Sequence, residues 1–86
     1  MIVTKQDVAE KIAAHLQHRI TLPQLVDWAE NAMMDAAFDE NDAATISTVV
    51  ARLGVADVRA FGLSWTDCEE LLAKLGFSAK VEIVAA

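Results

Sequence analysis

The chain has 86 residues, 55% of them hydrophobic, so we expect one folded domain spanning residues 1–86 with a modest core. Its formal net charge of −6 disfavours binding to nucleic acids and anionic membranes, because both are negatively charged. No apolar run is long enough for a membrane helix, and no secretory signal is visible. The one cysteine cannot form an internal disulfide, so the cytoplasm is the expected compartment.

The first predicted helix covers residues 5–18. Thr4 is its expected N-cap, and Asp7, three positions later, favours the amides of the first turn. Cationic His18 and Arg19 near its end suit the helix dipole. An apolar stripe recurs every four residues, at Val8, Ile12 and Leu16.

The second predicted helix covers residues 22–37 and has the clearest start signal. Thr21 and Gln24 fit a capping box, and Pro23 falls in the first turn, where a missing N–H costs nothing. Its expected buried face consists of Leu25, Ala29, Ala32, Met33 and Ala36.

The third predicted helix covers residues 40–53. Asp39 is its expected N-cap, and Gly54 is the expected left-handed C-cap. The stretch 45–50 is rich in Thr, Ser and Val, so a strand is the competing prediction there. The core positions of this helix are Ile46, Val49, Val50 and Leu53.

Residues 55–61 predict one short helical turn, followed by a break at Gly62. A fourth helix follows over residues 65–75, capped by Ser64 or Thr66. Its core residues and the glycine that ends it are Leu71, Leu72, Leu75 and Gly76.

The C-terminal segment predicts a short β-strand over residues 79–84, because β-branched residues alternate there with charged ones. A lone strand leaves its hydrogen-bonding groups unpaired, so we expect it to pair either with the N-terminal stretch 1–4 or with a second subunit. The fold class is therefore mainly α: a small orthogonal bundle of four or five short helices with a C-terminal β-strand.

The middle of the chain carries the whole charge imbalance. Residues 20–51 contain six acids and no Lys or Arg. Capping of the third helix would explain the acids from Asp39 to Asp42. It does not explain Glu30 and Asp35, which lie late in the second helix, where the dipole disfavours them. A solvated helix junction and a binding surface both remain open.

The leading functional hypothesis is a small acidic protein-interaction module, of the inhibitor, immunity or adaptor kind, that meets a basic protein partner. The apolar residues within the acidic stretch would anchor that partner. The alternatives are a self-associating homodimeric structural protein and, less favoured, an enzyme or metal protein. The predicted partner-binding residues are Glu30, Met34, Asp35, Phe38, Asp39, Glu40 and Asp42.

Chemical motifs are sparse, and we expect no enzyme activity, cofactor or metal. The acidic stretch fails as a calcium loop, because Ala43 and Val50 occupy ligand positions. His15 and His18 can share a helix face but lack further zinc ligands. Cys68 is expected in the core, since the leucines of its helix lie three, four and seven positions on.

Overall fold

A computed structural model describes residues 2–59, 61–80 and 83–85 of the chain. The described residues form four helices and a two-stranded parallel sheet, in the order β1, α1, α2, β2, α3, α4. The bounds are β1 Ile2–Val3, α1 Lys5–Leu16, α2 Leu22–Asp35, β2 Ala37–Phe38, α3 Ala43–Gly54 and α4 Trp65–Lys74. The mainly helical fold class is confirmed, while the orthogonal arrangement of the helices stays a prediction.

Reciprocal capping boxes fix the starts of three helices. At α1, the Asp7 N–H donates to the Thr4 hydroxyl at 3.1 Å, and the Thr4 N–H donates to the Asp7 carboxylate at 3.0 Å. Thr21 and Gln24 make the same exchange at α2. Ser64, not Thr66, caps α4. These caps bond residues three positions apart, so the local sequence is enough to specify them.

The predicted start of the third helix is wrong. Asp39 caps no helix; its side chain accepts the Asn41 N–H at 3.1 Å, and its carbonyl accepts the Asp42 N–H at 3.1 Å, which makes a tight turn. The helix begins three residues later, at Ala43, with Asp42 at the N-cap position but without a side-chain capping bond.

The second helix ends earlier than predicted because the chain becomes extended at Ala36 and joins a sheet. Ile2 pairs with Ala37 and Val3 with Phe38, in parallel. The Asp39 N–H continues the ladder by donating to the Val3 carbonyl at 3.0 Å. Helices α1 and α2 form the crossover that a parallel pair requires.

The C-terminal strand over residues 79–84 is not confirmed. Of the described part of that segment, residues 79, 80, 83 and 84 belong to no helix or strand, and Val81 and Glu82 lie outside the described residues. The N-terminal stretch pairs with β2, and pairing of the two termini is not confirmed for the described part of the chain.

Two helices end in different ways from those predicted. Helix α1 ends at Leu16, and His18 takes a left-handed conformation with φ of 60°. The right-handed helix α3 runs through Gly54, so Gly54 is not a left-handed cap. Gly76 does follow the end of α4, as predicted, and it lies in the left-handed region with φ of 87°.

The segment between α3 and α4 makes turns but no fifth helix among its described residues. Arg52 fastens this segment to α4: its guanidinium donates to the Gly62 carbonyl at 3.0 Å and lies 3.5 Å from the Asp67 carboxylate. The Arg52 guanidinium also lies 5.9 Å from the centre of the Phe61 ring. One side chain thereby positions both the loop and the start of α4.

The core lies between the four helices and β1, with α2 and α3 forming the most extensive packing contact. The expected apolar faces are largely confirmed, but Met33 is exposed rather than buried. Among the described residues no polar or charged side chain belongs to the buried class. The largest fully buried side chains include Ile12, Leu25, Ile46, Leu53 and Leu75.

Candidate interaction surface

The outward face of α2 combines acids with an exposed methionine. Asp27, Glu30 and Met34 are all exposed, and their spacing of three and four residues places them in one row along the helix. Met34 is 77% exposed, which is high for an apolar side chain of this size. Unbranched, polarisable methionine adapts to differently shaped partners, so it suits a binding surface.

Met33 extends this face toward the end of α3. Its side chain is 52% exposed. A methyl group placed on Gly54 would lie 3.7 Å from the Met33 sulfur and 4.0 Å from Glu30 Cγ, so both side chains flank this glycine. We call Asp27, Glu30, Met33 and Met34 the acidic methionine face.

Asp35 does not lie in the same row. It follows Glu30 by five residues, which corresponds to about 140° around a helix of 3.6 residues per turn. Both side chains are exposed, but they leave α2 in different directions. The predicted acids therefore do not form one continuous row on α2.

The turn after β2 places its residues unequally. Phe38 is half-buried and packs against the core. Its side chain therefore supports the turn, and it is less accessible to a partner than the sequence predicts. Asp39 and Asp42 are half-buried, and the Asp39 carboxylate accepts the Asn41 N–H. Glu40 is exposed. Of the residues in this turn predicted to bind a partner, Glu40 is the most accessible.

Helix α1 brings cations to the acidic middle of the chain. The Lys5 ammonium lies 3.6 Å from the Asp42 carboxylate. The Lys11 ammonium lies 5.8 Å from the centre of the Trp28 ring, a cation–π distance. Neither contact could be predicted from the order of charges in the sequence, because Lys5 and Asp42 are 37 positions apart and Lys11 and Trp28 are 17 positions apart.

Cys68, His15 and His18 are the residues that the sequence singled out for thiol or metal chemistry. Cys68 is buried, and burial, together with the neighbouring Asp67, raises the pKa of its thiol. His15 lies in α1 while His18 follows the helix end, so the expected shared helix face is wrong. Across residues 2–59, 61–80 and 83–85, no three His, Cys, Asp or Glu side chains cluster as metal ligands would.

A groove between α1, α4 and the following segment is the feature that sequence reasoning missed. It encloses about 690 Å³ and is lined by Ala9 and Ala13 of α1, Trp65 of α4, and Phe77 beyond it. Trp65 is 41% exposed and Phe77 42% exposed. The available signal was the small pair Ala9 and Ala13, four residues apart and beside the apolar stripe of α1.

Within the described part of the chain, no helix has the length and apolar character needed to cross a membrane. Comparisons with known protein families, with curated proteins and with solved structures gave no significant match for this chain.

Proposed function

We propose that this protein is a non-catalytic interaction module that binds a basic protein partner through the acidic methionine face. The observation that carries the proposal is the exposure of Met33 and Met34, at 52% and 77%, beside the exposed acid Glu30 on the same helix. An apolar centre with a charged rim is the usual composition of a protein interface.

The two residue types would contribute differently to binding. Burial of the methionines against a partner would supply most of the affinity and slow dissociation. Asp27 and Glu30, within a chain of net charge −6, would attract a basic surface and speed association at low salt. Glu40 and Asp35 would extend the negative field, while Asp39, Asp42 and Phe38 would mainly hold the adjoining turn.

A non-catalytic role fits the chemistry of the described side chains. The thiol of Cys68 is buried and its pKa is raised, so little reactive thiolate forms. A free, unpaired thiol also suits a reducing compartment such as the cytoplasm, which is the proposed location.

The test of this proposal is affinity capture with matched charge variants. The tagged chain is presented to a native lysate at low and at high salt. We expect a basic protein to co-purify in stoichiometric amount at low salt and to be lost at high salt. Substitution of Met34→Ser together with Glu30→Gln should reduce its recovery about tenfold or more, since rim charge and anchor are both lost.

The control changes acids that lie elsewhere. Glu69→Gln and Glu70→Gln remove two exposed negative charges from α4, one more than the face variant loses, so the control is less negative overall but keeps the face intact. It should retain the partner. Equal loss of the partner from both variants would show that total charge, and not the acidic methionine face, governs binding.

Self-association is the second candidate function, and a separate observation favours it. Ile83 is 94% exposed and Val84 is 74% exposed, in the segment where the sequence predicts a strand. Exposed apolar residues of this kind suit contact with a second copy.

A further inference from the structure

The groove beside α1 combines apolar walls with two exposed aromatic rings. Ala9 and Ala13 expose little side chain, so the α1 wall is shallow and open to a large group. Trp65 and Phe77 line the opposite side, and each keeps about two fifths of its surface accessible at 41% and 42%. A Trp or Phe ring gains most by burial, since each removes a large apolar area from water.

The charge of the groove differs from that of the rest of the molecule. Glu10 and Lys80 are the charged residues among its lining, so the groove is formally neutral. The chain as a whole carries −6. Two copies therefore repel one another in most orientations, but much less when their grooves face each other.

We infer that the groove is the contact surface between two copies of this chain, related by a two-fold axis. In such an isologous contact each patch meets itself, so Glu10 of one copy can face Lys80 of the partner subunit, and the reverse pair forms by symmetry. Trp65 and Phe77 of each copy would fill the opposite groove.

A dimer of standard size needs a contact wider than the lining of the groove itself. A standard interface buries about 800 Å² on each partner, roughly one tenth of the surface of a small protein. The accessible surface of this chain is 5768 Å², so a contact of that size would take about one seventh of it. The exposed Ile83 and Val84 follow the groove wall formed by Phe77 and Lys80, so they offer further apolar area close by along the chain.

Sedimentation equilibrium of the full chain and its charge variants tests the inference. We expect a concentration-dependent species at twice the 9.3 kDa chain mass. Glu10→Lys should weaken the dimer roughly tenfold, because two symmetric ion pairs become two repulsions. Lys80→Glu should weaken it as well, and the double variant E10K/K80E should restore most of the affinity by re-forming the pairs in the opposite sense.

Glu40→Lys is the matched control, because it changes the net charge by the same amount as Glu10→Lys at an exposed site outside the groove. General repulsion predicts that both substitutions strengthen association, since each lowers the net negative charge. The inferred contact predicts opposite effects, with E10K weaker and E40K slightly stronger. A monomer up to about 0.5 mM, or E10K and E40K acting alike, would overturn the inference.

Tryptophan fluorescence gives a second readout at the same surface. Trp28→Phe leaves Trp65 as the only indole, and its emission should shift to the blue as the dimer forms. Trp65→Phe leaves Trp28, which does not line the groove, and its emission should not depend on concentration. A dimer whose Trp65 emission stays unchanged would place the contact elsewhere and contradict the groove.

Discussion

Replacement of Gly54 by alanine should stabilise the protein, although the sequence pattern around this glycine predicts the opposite. Gly54 is the last residue of α3, and its φ is not in the left-handed region. A methyl group there would lie 3.7 Å from the Met33 sulfur and 4.0 Å from Glu30 Cγ, which are ordinary van der Waals distances. The substitution therefore introduces no clash.

The magnitude follows from two contributions of the same sign. Alanine in a helix is favoured over glycine by about 0.5–1 kcal/mol, chiefly because the unfolded chain loses freedom. The new methyl group gains part of the roughly 0.8 kcal/mol per buried CH₂, since the site is half-buried. Because Gly54 is at the helix end, where the helix preference is weaker, we expect a net gain of about 0.5–1 kcal/mol.

Gly76→Ala is the matched comparison, because the same methyl group is added to a glycine with φ of 87°. A left-handed conformation costs a residue with a side chain about 1–2 kcal/mol, so this variant should be less stable by about 1 kcal/mol. Urea unfolding followed by circular dichroism measures both changes, with an unchanged m-value as the check on two-state behaviour. If Gly54→Ala instead destabilised the protein by about 1 kcal/mol, the left-handed cap predicted from sequence would be right at Gly54.

Two further predictions concern the capping of helices and the loss of stability in acid. Ser64→Ala should lower the free energy of unfolding by about 1 kcal/mol, because the Ser64 hydroxyl accepts the Asp67 N–H at 3.1 Å. Asp42→Ala should lower it by less, because Asp42 makes no side-chain capping bond. Urea unfolding at pH 7 compares the two variants, and equal losses would contradict this difference. The Ser64 backbone N–H, donating to Asp67 at 2.9 Å, lowers the pKa of that carboxyl, and the Ser64 side chain lowers it further. Burial opposes this shift, and the Arg52 charge adds a weaker lowering effect. Because the pKa of Asp67 is lower in the folded state, its contribution to stability is complete above the ordinary pKa of 3.8 and is lost as the pH falls through the lower folded-state value. Asp67→Asn should therefore weaken the fall of the unfolding free energy at acid pH, and an unchanged fall would contradict this.

The local features of the fold were predictable because they depend on residues close in sequence. The capping boxes at Thr4, Thr21 and Ser64 each join residues three positions apart. The apolar stripes recur at helical spacing, which identifies the helices before any partner is known. Tertiary contacts then decide where each helix stops.

The parallel sheet shows why the rest could not be predicted. Val3 and Phe38 pair across 35 positions, and each strand contains only two residues, too few for a pattern. This pairing draws Ala36 into an extended conformation and commits the Asp39 N–H to Val3. Asp39 then forms a turn, although the sequence predicts that it begins a helix.

Gly54 and Gly76 also show that tertiary contacts decide how a helix ends. The sequences Ala51–Val55 and Ala73–Phe77 share an Ala, a cation, a Leu and a Gly in order, followed by an apolar residue. Only Gly76 is left-handed, and there the Phe77 N–H donates to the Leu72 carbonyl at 2.9 Å and reverses the chain. After Gly54 the backbone keeps a negative φ, with −110° at Val55, and Ala56 lies in the core at 1% exposed.

The sequence predicts an acidic surface with exposed methionine, but it does not predict which of the acidic and apolar residues are accessible. The exposed Glu30 and Met34 were identified from composition, but burial of Phe38 against the core and the contact of Asp42 with Lys5 depend on the fold. A Lys–Asp pair at the surface contributes little stability, yet it lowers the local negative charge that a partner would meet.

The two proposed surfaces can be tested independently because they share no residue. The acidic methionine face belongs to α2, and the groove belongs to α1, α4 and the segment after α4. A dimer formed through the grooves would present two copies of the face, and a partner with repeated basic sites would then bind more tightly than either contact alone allows. The groove variant Glu10→Lys should therefore weaken capture of such a partner, because the dimer that presents two faces is lost.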